Sequence, residues 1–161
     1  MCNNQRKGFG FTLVELVILM LVAVILLASI TVLWPSSKIN LEAQSYLLGN
    51  DIRYAQNLSM SRGERFRFVK LTSNSYRITD STGTAVVLPF GGSTITFDTG
   101  ISFGVITNLP NNLIVFDSKG VPYTDTASPG TRLADVAVIN LVTMEHVKTI
   151  SISPETGRVL M

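Results

Sequence analysis

Glu15 is the only charged residue at the start of a long apolar run. No Asp, Glu, Lys or Arg occurs from Leu16 to Trp34, and about 20 apolar residues are enough to cross a bilayer. A carboxylate near membrane depth costs roughly 2.5–3.5 kcal/mol on insertion scales. Because that cost needs compensation, the chemistry predicted for Glu15 is charge pairing with a cation.

The residues before Glu15 predict a proteolytic cut at an unusual place. Arg6 and Lys7 come shortly before Gly10, whereas a secretory signal is cut after its apolar core, at small residues that are missing here. A cut after Gly10 would leave Phe11 as a new apolar N-terminus. Its amine would lie about one helical turn from Glu15 and could serve as the cation.

A set of arginines could also carry chemistry, since a guanidinium makes forked contacts with carboxylate or phosphate groups. Most of the set surrounds one predicted hairpin, on the face opposite its apolar side chains. The set could be a partner surface that contacts protein or DNA, or only the solvated side of the hairpin. Its members, called here the arginine set, are Arg53, Arg62, Arg65, Arg67, Arg77 and Arg158.

Catalytic chemistry is not expected. The only histidine is His146, which should lie in an exposed loop between two strands, and the only cysteine is Cys2 in the leader. The chain lacks a histidine pair for a metal, a phosphate-binding glycine loop and a Gly-x-Ser-x-Gly motif. We therefore expect no catalytic residue, no metal and no cofactor.

Charge predicts orientation in a membrane. The formal net charge of +2 comes from Arg6 and Lys7, since the other basic residues balance the acidic ones. A neutral processed chain has no general attraction to nucleic acid or anionic lipid. The first basic residue after the apolar run is Lys38, so the positive-inside rule places the leader in the cytoplasm and the rest outside.

The apolar helix should continue beyond the membrane as a second helical stretch. Pro35 predicts either a kink in one long helix or a break between two helices. After it, apolar and small residues recur at helical spacing up to Gly63, which would cap the helix. The residues of this predicted buried face are Leu41, Leu48, Ile52, Ala55 and Ser59.

Beyond Gly63 the apolar period changes from helical to alternating, which predicts an antiparallel β-domain. A hairpin is expected from Arg65–Leu71 and Ser75–Asp80, with Phe66, Phe68, Tyr76 and Ile78 facing the core. The segments 91–112 and 121–131 are interpreted as loops or weak edge strands. Further strands are predicted at 85–88, 93–98, 113–117, 136–142 and 147–153.

Two short turns of similar sequence precede short apolar runs near the C-terminus. Asp117-Ser118-Lys119-Gly120 and Pro154-Glu155-Thr156-Gly157 each fit a type I turn with glycine at the fourth place. Each should connect a strand to a brief following strand.

The run Gly10-Phe11-Thr12-Leu13-Val14-Glu15, followed by an apolar helix, resembles the class III signal of type IV pilins and type II secretion pseudopilins. The resemblance implies that a prepilin peptidase cuts between Gly10 and Phe11 and methylates the Phe11 amine. It also implies assembly with other pilins on an inner-membrane platform. In such a fibre Glu15 would neutralise the amine of another subunit.

The later part of the chain resembles GspH/FimT-type minor pseudopilins and minor pilins, both in residues 51–62 and in the two glycine turns. This implies an α+β pilin fold in which a long N-terminal helix packs on an antiparallel sheet domain. The expected organisation is a cleaved leader (1–10), a transmembrane and polymerisation helix (11–34), a helix continuation (35–62) and a β-rich domain (63–161).

The resemblance implies a non-enzymatic structural subunit that supports protein secretion or pilus biogenesis. Type II secretion, type IV pili and mannose-sensitive-haemagglutinin-type pili all use such subunits. The alternative is a tip subunit that contacts DNA or a surface. Some FimT-like proteins carry a Gly-Arg-x-Arg pattern associated with DNA uptake, but Gly157-Arg158 is followed by Val159-Leu160, so DNA is not expected as a partner.

Processing gives the first test. The mature protein should begin with methylated Phe11 and lack Cys2, because the leader charges abut Gly10 rather than a cleavage site after the apolar run. Intact-mass measurement of the protein from its native membrane checks this. Retention of residues before Phe11, or a cut near Ser29, would contradict the pilin interpretation.

Overall fold

The computed structural model describes residues 12–32, 36–89 and 91–161. Helix α1 (Leu13–Val32) belongs to one compact unit, and Ser37–Met161 form a second. The predicted cleavage site at Gly10 and Phe11 and the predicted kink at Pro35 lie outside the described residues. The α+β class with antiparallel sheets is confirmed.

The second unit begins with a long helix, α2 (Ser36–Arg62). All members of the predicted buried face, from Leu41 to Ser59, are 0% exposed, so the helical spacing was interpreted correctly. Gly63 ends the helix with φ of +70° and donates its N–H to the Ser59 carbonyl at 3.0 Å. The Ser59 hydroxyl accepts the Phe66 N–H at 3.1 Å and so ties the helix to the first strand.

In the described residues after α2, nine strands form two antiparallel sheets. The first sheet has the order β3-β2-β1-β5-β6 and the second has the order β4-β7-β8-β9. The strands are β1 (Phe66–Lys70), β2 (Ser75–Thr79), β3 (Ile95–Thr96), β4 (Ser102–Thr107), β5 (Leu113–Phe116), β6 (Pro122–Tyr123), β7 (Ala137–Val142), β8 (Val147–Ile152) and β9 (Val159–Leu160).

The predicted hairpin is confirmed by the pairing of β1 with β2, in which Phe68 lies opposite Ile78. Its four predicted core residues are at most 1% exposed. They share one hydrophobic core with the buried face of α2 and with residues of both sheets. Within it the Phe97 and Phe103 rings pack edge to face, with centroids 4.9 Å apart.

Other strand predictions differ in outcome. The strands at 113–117, 136–142 and 147–153 are confirmed, each to within one residue at either end. The predicted strand at 85–88 is wrong, since only Ala85 makes an isolated bridge, to Thr79. The strand at 93–98 is reduced to β3. The segment 91–112, expected to be loops or weak edge strands, contains the edge strand β4, which pairs with β7 and buries Phe103.

The two glycine turns meet at Gln56 on α2. The first has the predicted geometry, since the Gly120 N–H donates to the Asp117 carbonyl at 2.9 Å. The second is one residue wider than predicted, because the Gly157 N–H donates to the Ser153 carbonyl instead. The Gln56 amide donates to the Gly120 and Thr156 carbonyls at 2.9 and 2.8 Å and thereby fastens both turns to the helix.

This junction predicts different costs for two alanine substitutions. A Cβ on Gly157 would lie 2.6 Å from both the Gln56 amide nitrogen and the Gly120 carbonyl oxygen, whereas one on Gly63 meets nothing within 4 Å. Both residues have positive φ, which costs a non-glycine residue about 1–2 kcal/mol. Gly157→Ala should lose a further ~1–3 kcal/mol from overpacking.

Chemical denaturation of both variants checks this, with Gly63→Ala as the matched control for backbone strain alone. Equal losses of unfolding free energy would show that the turns are not tightly packed on α2.

Candidate functional site

Helix α1 begins at a side-chain cap that includes Glu15. The Glu15 N–H donates to the Thr12 hydroxyl at 3.3 Å, and the Leu16 N–H donates to the Thr12 carbonyl at 3.2 Å. Thr12 and Glu15 therefore have the spacing of a capping box. A carboxylate in the first turn also interacts favourably with the helix dipole. The sequence reasoning missed Thr12, although the pattern Thr-x-x-Glu before an apolar run signals such a cap.

The apolar side chains of α1 are exposed on every side of the helix. From Leu13 to Leu27 the large apolar residues are 47–80% exposed. A helix that is apolar all round needs an apolar environment supplied from outside its own surface. In the part of the chain that the structure describes, no helix combines the length and the hydropathy of a membrane span.

The described residues offer Glu15 no basic partner. Among residues 12–32, 36–89 and 91–161 the one ion pair joins Lys148 to Glu42, with 3.1 Å between Nζ and Oε1. Intersubunit pairing of Glu15 stays a prediction.

Arg53, of the arginine set, holds a sheet edge within its own chain. Its Nη2 donates to the Val159 carbonyl at 2.8 Å, and its Nη1 donates to Asn50 Oδ1 at 3.2 Å. Val159 lies on the edge strand β9, where exposed backbone groups can pair with other chains. Arg53 therefore connects β9 to α2 and covers one of these groups.

Arg65 and Arg67 each hold a loop on the outer face of the first sheet. Arg65 donates to the Ala127 and Pro129 carbonyls and lies over the Tyr123 ring, 4.8 Å from its centre. Arg67 donates to the Asp80 carbonyl from Nε and Nη2, at 3.0 and 2.9 Å, and to the Ser81 carbonyl at 2.8 Å.

The remaining members of the arginine set lie apart from each other. Arg62 is exposed at the end of α2, with its guanidinium 5.7 Å from the Phe66 ring centre. Arg77 is half-buried opposite Val69, and its Nε has no hydrogen-bond partner among the described residues. Arg158 is exposed beside β9. Because Arg77 lies opposite Val69, it shares the outer face of the first sheet with Arg67 as expected, but the structure does not gather all six arginines into one patch.

No described group of residues resembles a catalytic or metal site. His146 is half-buried rather than exposed and lies in the turn between β7 and β8. Its backbone N–H donates to the Thr143 hydroxyl at 3.1 Å. Among the described histidine, cysteine and acidic residues, none are grouped to hold a metal. A cleft of about 300 Å³ near the start of α2 is lined by residues that include Asn40, Ile101 and Met144.

A carboxylate that the sequence reasoning did not single out is buried in the core. Asp51 on α2 is 2% exposed, and its Oδ2 accepts a hydrogen bond of 2.7 Å from the hydroxyl of Tyr76, which is 0% exposed. Burial raises the pKa of Asp51 above its ordinary value, and the Tyr76 hydrogen bond partly opposes this. Burial, together with the charge of Asp51, raises the pKa of Tyr76 far above its usual range.

The raised pKa of Asp51 predicts how stability depends on pH. The folded state binds a proton more tightly than the unfolded state, so the contribution of Asp51 to stability is greatest below its unfolded pKa of 3.8 and is lost as pH rises through the folded pKa. Asp51→Asn should therefore gain stability relative to wild type as pH rises from about 4 to 8. Tyr76→Phe removes the hydrogen bond that lowers the pKa of Asp51, so the loss of stability should extend to higher pH. Chemical denaturation across this pH range checks both expectations. Parallel curves of unfolding free energy against pH for the wild type and the two variants would contradict them.

Two solved structures of the type IV minor pilin FimU from Pseudomonas aeruginosa, in two crystal forms, are similar to this chain. One has a TM-score of 0.56 and 13% sequence identity, and covers 78% of this chain and 90% of the FimU chain. The other has a TM-score of 0.51 and 13% identity, and covers 74% and 90%. No protein-family profile and no curated protein sequence matches the chain.

At this identity the likeness concerns the fold alone. It agrees with the helix-and-sheet architecture described above and does not address the finer resemblance to GspH/FimT-type subunits. The chain therefore has the α+β fold of a type IV pilin.

Proposed function

We propose that this chain is a non-enzymatic minor pilin or pseudopilin that assembles through α1 into a fibre serving protein secretion or pilus biogenesis. The observation that carries the proposal is the contrast between the two helices. Helix α2 buries one face in the core of its own unit, whereas α1 exposes apolar side chains all round.

The energetics favour assembly over exposure. Burial of one large apolar side chain contributes about 1.5–3 kcal/mol. From Leu13 to Leu27 the large apolar side chains of α1 are exposed on every side of the helix. Such a surface is stable in a bilayer or among other apolar helices. We therefore place the subunit in the bacterial inner membrane before assembly, with a cytoplasmic N-terminus and a periplasmic domain. Prepilin peptidase and an inner-membrane assembly platform are its proposed partners at that stage.

Glu15 has two separable roles in this mechanism. Within its own chain its backbone N–H donates to the Thr12 hydroxyl, and its side chain occupies the third position of a capping box, which needs a hydrogen-bonding group but not a charge. Between subunits it neutralises the Phe11 amine of a neighbour, which requires the charge. A glutamine preserves the first role and removes the second, because glutamine also serves at the third position of a capping box.

The pair Glu15→Gln and Glu15→Ala tests the charge requirement. Both variants should insert and be processed, since losing a charge eases membrane residence. Both should enter fibres poorly, because neither can neutralise the amine of a neighbouring subunit. The measurement is the ratio of fibre-associated to membrane-retained protein, relative to wild type.

Thr12→Val is the matched control, because it removes the capping hydroxyl and keeps the carboxylate. It should assemble better than either Glu15 variant. Normal assembly of Glu15→Gln would show that Glu15 acts as a helix cap and that intersubunit charge pairing does not drive assembly.

A further inference from the structure

A small cavity lies on the outer face of the first sheet, opposite the face that packs in the hydrophobic core. Its volume is about 50 Å³, and it is lined by Arg65, Arg67, Ser81, Val115 and Thr126. Four of these five residues are polar, and they come from the sheet and from the two loops that cover it.

Both guanidinium groups at this cavity are held in place before any ligand arrives. Arg65 is fixed by the Ala127 and Pro129 carbonyls and by the Tyr123 ring, and Arg67 by the Asp80 and Ser81 carbonyls. A guanidinium has five N–H donors, so these contacts leave donors for a further acceptor. Because the side chains are already ordered, binding costs less conformational entropy.

The cavity is open to solvent on one side, since Ser81 and Thr126 are exposed, whereas its apolar floor is buried. Val115 at its floor is 2% exposed. Thr79 lies directly opposite Arg67 and is also 2% exposed, and its hydroxyl has no hydrogen-bond partner among the described residues. Thr79 lies beside the cavity and is not among the residues that line it, so it is a neighbour of the site and not a proposed ligand.

The carboxylates of the two covering loops are engaged within those loops. Asp80 Oδ1 accepts from the Thr82 and Thr84 N–H groups, both at 2.9 Å. Asp125 accepts from Ala127 and Thr131 N–H groups at 3.1 and 3.0 Å. Neither carboxylate is hydrogen-bonded to the arginines, whose acceptors in the described residues are backbone carbonyls. The hydrogen bond from Thr131 is the main cause that lowers the pKa of Asp125, and the charge of Arg65 contributes, so Asp125 offsets part of the positive charge near the cavity.

We propose that this cavity binds a phosphate group, either as inorganic phosphate or as a terminal phosphate carried by a larger molecule. Two guanidinium groups and the Ser81 and Thr126 hydroxyls surround one space, which suits the several oxygens of a tetrahedral anion better than the two of a carboxylate. The inference concerns the β-domain alone and does not depend on assembly through α1.

Titration of the full chain in detergent micelles with inorganic phosphate, followed by calorimetry and by NMR of the loop amides, tests the proposal. Ser81→Asp places a carboxylate at the cavity while keeping the Ser81 carbonyl and both arginines, and should weaken phosphate binding at least about tenfold by charge repulsion. Thr126→Val, which removes only one hydroxyl donor, should weaken it less.

Arg158→Gln is the matched control, because it removes a positive charge from an exposed arginine on the other sheet. It should bind phosphate like wild type. Equal weakening by Arg158→Gln and Ser81→Asp would indicate general charge attraction and overturn the proposal. Acetate binding as tightly as phosphate, or no phosphate binding by the folded wild type, would overturn it as well.

An oligonucleotide with and without a 5′-phosphate distinguishes the two sources. Binding that needs the 5′-phosphate and is lost in Ser81→Asp assigns the cavity to a terminal phosphate on a larger molecule. Binding of inorganic phosphate alone assigns it to the free anion.

Discussion

Burial of one face of α2 is the constraint on which the rest of the β-domain depends. The two sheets have separate strand orders, yet they alternate along the chain, because β4 of the second sheet lies between β3 and β5 of the first. The common element is the helix, whose buried residues share one core with strands of both sheets. Neither sheet can complete its apolar packing without α2, so folding of the domain should be a single cooperative event.

The two helices differ in what their side chains contact. The polar residues of α2 join the β-domain: Glu42 pairs with Lys148, Arg53 binds the edge strand, and Gln56 binds both glycine turns. The described side chains of α1 do not take part in the buried core.

The sequence predicted those features whose cause is local. The spacing from Leu41 to Ser59 showed the buried helical face because burial follows the helical period, and the β1–β2 hairpin followed from its alternation. It did not show the role of Arg65 or Arg67, because their acceptors are backbone carbonyls of distant loops, which have no sequence signature. Asp51 was missed for the same reason: its partner Tyr76 lies 25 residues away. The edge strand β4 has β-favouring residues, but the glycines, prolines and asparagines around it hid its bounds.

The contacts of α2 also have a mechanical consequence. The side chains that fasten the domain to this helix are spread along its length, from Glu42 through Arg53 to Gln56. Tension applied along the helix axis therefore acts on these contacts in shear, so that they share the load rather than break one after another. A domain attached at a single point would peel away under the same pull, whereas these distributed contacts would resist it together.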